Sequence, residues 1–169
     1  MFSATESDRT KNRESVLQTH AENTAVAALA SQMPHALVDA TFELSELTLT
    51  IARESIVEAC RTVRTAGYNF MSDLTCVDWY PNQPRFQVTY HLLSMQQKRR
   101  IRLCVFVAEG DPSVDSITSV WPGANFYERE VFDLFGVRFG GHPNMRRILL
   151  PEDFQGNPLR KDFPVEGYR

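Results

Sequence analysis

The chain of 169 residues reads as an α+β domain, a mostly antiparallel sheet with helices on one face, followed by an extended irregular C-terminal arm. Three observations predict this. Short stretches of helical and strand periodicity alternate along residues 25–136. Two pairs of strand-like runs are joined by connections of hairpin length. Past Gly136, prolines and glycines interrupt every pattern longer than a few residues.

Residues 1–24 are polar and aperiodic, and read as a flexible leader. Ala25 to Met33 follows, with Asn23 or Thr24 as N-cap and Pro34 as a stop; Val26, Leu29, Ala30 and Met33 make one apolar stripe. Two strands come next, 36–44 and 47–52, the second alternating Leu47, Leu49 and Ile51 with Thr48, Thr50 and Ala52. Ser45-Glu46 provides a tight turn between them. Residues 53–66 switch to helical period, with Ile56, Cys60 and Val63 on one face and Gly67 placed to cap the end.

The middle is strand-rich. Residues 68–77 lead into a loop containing Pro81 and Pro84. Residues 86–93 and 101–107 form a second hairpin across 94–100. Lys98 to Arg102 is the one basic cluster, and it reads as a solvated hairpin tip and strand edge, where charge discourages aggregation. A nucleic-acid contact there would call for interleaved aromatic residues, which are missing. The last helix is expected over 125–135, with Tyr127, Val131, Leu134 and Phe135 on one face and Arg129–Asp133 as an i, i+4 ion pair.

Composition narrows the function. With 18 Lys+Arg against 21 Asp+Glu the net charge is −3, without the basic footprint of a nucleic-acid binder. No run approaches the ~20 apolar residues of a membrane span, and the first residues lack an apolar run of signal-peptide length, so a cytoplasmic domain is expected. Cys60, Cys76 and Cys104 have no CxxC spacing, and His20, His35, His91 and His142 are scattered. Three reduced, packed cysteines are therefore expected, rather than a zinc or iron–sulfur site. Neither GxGxxG nor GxxxxGK[ST] occurs, so no nucleotide site is signalled.

The C-terminal third differs in kind. From Phe126 onward lie Gly136, Gly140, Gly141, Gly156 and Gly167, four prolines, and Phe126, Phe132, Phe135, Phe139, Phe154 and Phe163. Its apolar residues, among them Met145, Ile148, Leu149, Leu150, Leu159 and Val165, are too many for a disordered tail. Residues 137–169 thus read as an arm lying along another protein, with Arg146, Arg147, Arg160 and Lys161 pairing with partner carboxylates.

Glu128-Arg129-Glu130-Val131-Phe132-Asp133-Leu134-Phe135-Gly136-Val137, then Phe139, Gly141-His142-Pro143, Arg146-Arg147-Ile148-Leu149 and Pro158-Leu159-Arg160-Lys161-Asp162-Phe163-Pro164, resemble the C-type subunit of NADH:quinone oxidoreductase, respiratory complex I. The likeness extends more loosely to residue 25, through Leu74–Asp78, Tyr90-His91-Leu92 and Ser119–Pro122. The family usually carries Trp at the position of Phe126, and Tyr or Trp at that of Phe132; an aromatic ring is kept at both.

The resemblance implies a subunit without a cofactor of its own, in the peripheral arm of the complex near its membrane foot, on the cytoplasmic face of the inner membrane. Around it the complex uses FMN, iron–sulfur clusters and quinone. The implied partners are the hydrogenase-like subunit that forms the quinone site and neighbouring iron–sulfur subunits, in a hetero-oligomer without nucleic acid. The implied reaction, NADH oxidation with quinone reduction and ion transport, belongs to the whole complex. Partner-interface residues are Glu128, Arg129, Glu130, Asp133, Phe135, Gly136, His142, Pro143, Arg146, Arg147, Leu159, Arg160, Lys161 and Asp162, with the helix charges fixing how the arm departs and His142 in a hydrogen-bonded turn.

Two alternatives remain. One is the equivalent subunit of a membrane-bound hydrogenase or cofactor-420-type dehydrogenase complex. The other is a free-standing enzyme using Glu128, Glu130 and Asp133 as acid–base groups. Asp78 and Trp79, at a strand end, are expected to shape the following loop.

Overall fold

The computed structural model describes residues 6–166. Residues 1–5 of the expected leader and 167–169 of the expected arm, Gly167 included, lie outside the described residues. Element order is α1 (Glu6–Thr19), α2 (Thr24–Gln32), β1 (Leu37–Glu43), β2 (Glu46–Ile51), a 3-10 turn (Arg53–Ser55), α3 (Ile56–Thr65), β3 (Phe70–Asp78), β4 (Phe86–Ser94), β5 (Arg99–Val107), β6 (Ser113–Asp115), α4 (Ala124–Phe135) and β7 (Arg138–Gly140). The main sheet runs β1-β2-β5-β4-β3, and β6 and β7 form a separate two-stranded sheet.

Within the main sheet β1–β2, β3–β4 and β4–β5 are antiparallel. The exception is β2–β5, which pairs parallel with Leu49 opposite Leu103. Strand alternation places Leu47, Leu49, Ile51, Phe86, Val88, Tyr90, Leu92, Ile101, Leu103, Val105 and Val107 on one buried face. On the other face Phe106, Val77 and Phe70 stay exposed. The parallel pairing sets both hairpin turns, 44–45 and 95–98, at one end of the sheet. The ends of β3 and β5 lie at the other, where the arm docks.

Asn23 caps α2, its Oδ1 accepting from the Ala25 amide at 3.0 Å and from the Tyr68 hydroxyl at 3.0 Å. The β1–β2 turn is built from Leu44 and Ser45, both at positive φ (51° and 63°), one residue earlier than the sequence suggested. That conformation matches the twist of a two-residue hairpin even without glycine. Ile56, Ala59, Cys60 and Val63 turn the inner face of α3 into the core, and all three cysteines are free and buried.

Four expectations change. The segment read as an aperiodic leader carries α1. Its only aliphatic side chains, Val16 and Leu17, pack on the core, and His20 lies 4.4 Å from the Phe42 ring, so tertiary contact supplies what periodicity lacks. The strand carrying the basic cluster is internal rather than an edge, because β5 sits between β2 and β4. The segment expected to be an irregular arm from residue 137 opens with β7, which pairs with β6, and Val137 and Phe139 are buried in the core. The fourth concerns Arg129 and Asp133, which reach for the arm rather than for each other.

Candidate functional site

Helix α4 ends at Gly136, whose φ of 73° is the left-handed conformation that terminates helices. A helix leaves its last four carbonyls without intrahelical partners. Here each finds one. The Gly136 amide donates to Phe132 O at 2.9 Å and the Leu159 amide to Leu134 O at 3.1 Å. Asn157 Nδ2 donates to Asp133 O at 3.0 Å, and Arg160 Nε to Phe135 O at 2.6 Å. Residues 157–160 of the arm are therefore the C-cap of α4, with the Arg160 cation at the negative end of the helix dipole.

Asp133 is the second tether. Its side chain is fully buried. Oδ2 accepts from the amides of Ile148, Leu149 and Leu150 at 3.0, 2.8 and 2.9 Å, and Oδ1 from Arg147 Nη1 at 2.6 Å. Burial alone would raise this carboxyl, but the three amides and the guanidinium outweigh it and hold it below the usual aspartate range. Arg147 Nη2 continues to Phe154 O and Gly156 O at 3.1 and 3.2 Å. Arg129 donates to the carbonyls of Arg146 and Arg147 at 3.1 and 3.0 Å.

The third tether is Arg85, also fully buried. Its Nε and Nη2 meet Asp78 Oδ1 and Oδ2 at 2.9 and 2.8 Å, a bidentate pair. Nη1 and Nη2 reach Asp162 Oδ2 and Oδ1 at 2.9 and 2.5 Å, and Nη1 also reaches Glu109. The guanidinium lies over Tyr80 and Phe86 at 4.9 and 5.0 Å. Asp78 also accepts from the amides of Tyr80 and Lys161, both at 2.9 Å. Burial pushes the Asp78 carboxyl up, yet Arg85 and the two amides bring it down to about 2. Hydrogen bonding to Arg85 likewise lowers Asp162.

Glu128, one turn before, faces inward. Its Oε2 accepts from Ser116 Oγ at 2.7 Å and its Oε1 from the Ile117 amide at 2.8 Å. Burial pushes this carboxyl up to about 7 against those two bonds. His142 Nε2 stands 3.9 Å from Oε2, with both side chains fully buried.

The arm that α4 holds belongs to a sequence shared by a known group of proteins. The model of the respiratory-chain NADH dehydrogenase 30 kDa subunit matches residues 49–169. The chain belongs to that family. The C-type NADH-quinone oxidoreductase subunit of Citrifermentans bemidjiense is 44% identical over 146 residues, covering 86% of this chain and 91% of its own. Its counterpart in Roseiflexus castenholzii is 46% identical over 145 residues, covering 84% and 83%. A solved Nqo5 trypsin-resistant fragment (1-134) aligns with a TM-score of 0.58 and 35% identity, over 62% of this chain and 89% of that one. A chain of the membrane-bound sulfane sulfur reductase, an archaeal respiratory membrane complex, shares the fold at a TM-score of 0.70 and 23% identity, over 83% and 84%.

In this member of the 30 kDa family the expected site residues divide into three groups. Arg129, Asp133, Gly136, Arg147, Arg160 and Asp162 tie α4 and the sheet end to the arm, as does the Lys161 amide. Phe135 is buried in the core, and Glu128 and His142 form a separate sealed pair. Glu130, Pro143, Arg146 and Leu159 are exposed.

Arg147 and Arg160, expected to meet partner carboxylates, are engaged within the chain instead. Asp133 takes Arg147 and three arm amides in place of the expected Arg129, because the arm crosses the helix at that turn. Asp78 does shape its loop, through the Tyr80 amide. Sequence reasoning missed Arg85, Ser116 and Asn157. Arg85 alone left a trace, a lone cation wedged between Pro84 and Phe86 at the start of an apolar strand. Among the described residues, no group of three or more His, Cys, Asp or Glu side chains gathers that could hold a metal ion, and no helix is long and apolar enough to cross a membrane.

Proposed function

We propose that this chain is a non-catalytic assembly subunit in the peripheral arm of an ion-translocating NADH:quinone oxidoreductase. It docks through its arm on the hydrogenase-like subunit that forms the quinone site, next to iron–sulfur subunits, at the cytoplasmic face of the inner membrane. In this reading FMN, the iron–sulfur clusters and quinone are held by other chains. The observation that carries it is the division of labour in the arm. Backbone and polar groups are spent on α4 and Arg85, while Leu149 and Leu159 point outward at 61% and 51% exposure, with Phe126 on α4 at 62%. A segment pinned from behind with its apolar side chains outward is arranged for burial against a second protein. Burying each such side chain contributes about 1.5–3 kcal/mol.

The test is to purify the native assembly through a tag on this chain, with and without Leu149→Asp and Leu159→Asp. The wild-type chain is expected to bring down the quinone-site and iron–sulfur subunits with NADH:quinone activity, and the double variant to lose them while folding normally. Co-purification unchanged by the double variant would refute arm docking. An assembly without an NADH-oxidising module would move the chain to a hydrogenase or cofactor-420-type complex.

A further inference from the structure

The basic cluster at residues 98–102 has no task inside the fold. Because β5 lies between β2 and β4, these charges guard no sheet edge. Two of its members are neutralised within the chain, Arg99 by Glu22 at 3.0 Å and Arg102 by Glu46 at 3.1 Å. Lys98 and Arg100 make no ion pair among the described residues. The parallel β2–β5 pairing sets them beside the β1–β2 turn, at the end of the sheet away from the arm.

That turn is built against local preference. Both of its central residues stand at positive φ, the region suited to Asn or Gly, yet the first is Leu44. Its side chain is 98% exposed, so no packing offsets the strain. Glu43 and Glu46, which close the turn, are like charges directly opposite each other. The neighbouring turn shows Met95 at 65% exposure. Between the two turns lies a cleft of about 270 Å³, with Phe42, Ser45 and Leu47 on one side and Lys98 and Arg100 on the other. Features that destabilise the free chain without serving its core mark a contact with a second molecule.

We propose that this two-turn end is a second docking surface, which takes an acidic protein segment with its carboxylates on Lys98 and Arg100 and its aliphatic side chains against Leu44, Met95 and Phe42. The charge pattern selects that occupant. Glu22, Glu43 and Glu46 ring the two unpaired cations. A phosphate backbone or an anionic bilayer, charged throughout, would be repelled by those acids as it met the bases. A polypeptide can set two carboxylates on the bases and keep neutral groups beside the acids. The concave wall at Phe42 likewise suits an inserted side chain rather than a flat surface. The inference rests on membership of a larger assembly, but not on what the arm docks against. Leu149 and Leu159 belong to the arm, at the other end of the sheet, so either surface can fail alone.

The test uses the full chain, both isolated and in the native assembly purified through its tag. Acetic anhydride labels Lys98 according to its exposure, and a zero-length carbodiimide joins its amine to a carboxylate in contact. In the assembly Lys98 is expected to acetylate about tenfold more slowly than in the isolated chain. It is also expected to couple to an Asp or Glu of a different protein. Lys98→Glu combined with Arg100→Glu should lose that protein and keep the chains that depend on the arm. Leu44→Asn separates docking from folding. Asparagine suits the left-handed turn, so the isolated variant should melt above wild type, while in the assembly its Lys98 should acetylate nearly as fast as in the isolated chain. Equal acetylation of wild-type Lys98 in the two states would overturn the proposal. So would coupling to no carboxylate or only to a second copy of this chain, and so would protection that vanishes when membrane lipid is exchanged for detergent. Retention of the coupled protein by the doubly reversed variant, or a Leu44→Asn chain that melts below wild type or keeps Lys98 protected, would equally sink it.

Discussion

Replacing Asp133 by Asn isolates the charge of one tether while keeping its shape. In the native chain one oxygen of this side chain serves three consecutive arm amides and the other serves Arg147. An asparagine can still turn its oxygen to the amides, but its NH2 then faces the Arg147 guanidinium, donor against donor. Removing one partner of a buried ion pair costs about 3–5 kcal/mol. Arg147 retains 20% exposure and can recover some hydration, so about 3 kcal/mol is expected. With a urea slope of about 2 kcal/mol/M, the unfolding midpoint falls by about 1.5 M. Trp79 and Trp121 provide the fluorescence signal. Trypsin should then cut after Arg146, Arg147, Arg160 and Lys161 in the variant at least ten times faster than in wild type. A variant with the wild-type midpoint and the wild-type digestion pattern would refute the reading of Asp133 as the arm's anchor.

The remaining predictions concern the other tethers. Arg85→Lys offers a point charge where two carboxylates are each gripped by a fork, and should cost about 3 kcal/mol in thermal or urea unfolding, nearly as much as Arg85→Met. Gly136→Ala forces a side chain into φ 73° with its Cβ 2.6 Å from Arg160 Nη2 and 2.7 Å from Asn157 Oδ1. It should destabilise by about 1–3 kcal/mol and expose the same arm cleavage sites. Asp78 is depressed in the folded chain, so its contribution is present above the unfolded aspartate pKa of about 3.9 and is lost as pH falls toward about 2. Wild type should lose about 2–3 kcal/mol across that window in acid unfolding, and Asp78→Asn should lose clearly less. Glu128 has the opposite sign. Its stabilising effect is complete below the unfolded glutamate pKa of about 4.3 and disappears as pH rises through about 7, which Glu128→Gln should flatten.

Much of the fold was legible because it rests on local pattern. The alternation of β2, the apolar face of α3, the Asn23 cap and the Gly67 and Gly136 stops each write themselves into neighbouring residues. The parallel β2–β5 pairing did not, since nothing in either strand names its neighbour across the long stretch of chain between them. Helix α1 has only Val16 and Leu17 to show, and β6 and β7 are three residues each. In the site, the motif residues were visible by type but not by partner. Asp133 works on backbone amides, which carry no side-chain signature, so no spacing could reveal it. Arg85 and Asp162 meet across 77 positions, and only folding brings them together.

The way α4 is capped also has a consequence in time. The groups that complete its last turn, Asn157 to Arg160, are made well after Phe135, a delay of about one to five seconds at about 5–20 residues per second. During that interval the helix end, Asp133 and the Arg85 pocket all wait for the same short stretch of chain. A nascent chain stalled or cut before residue 157 would therefore have a formed sheet but an unfinished surface. Only a chain translated through Asp162 holds all three tethers that seat the arm.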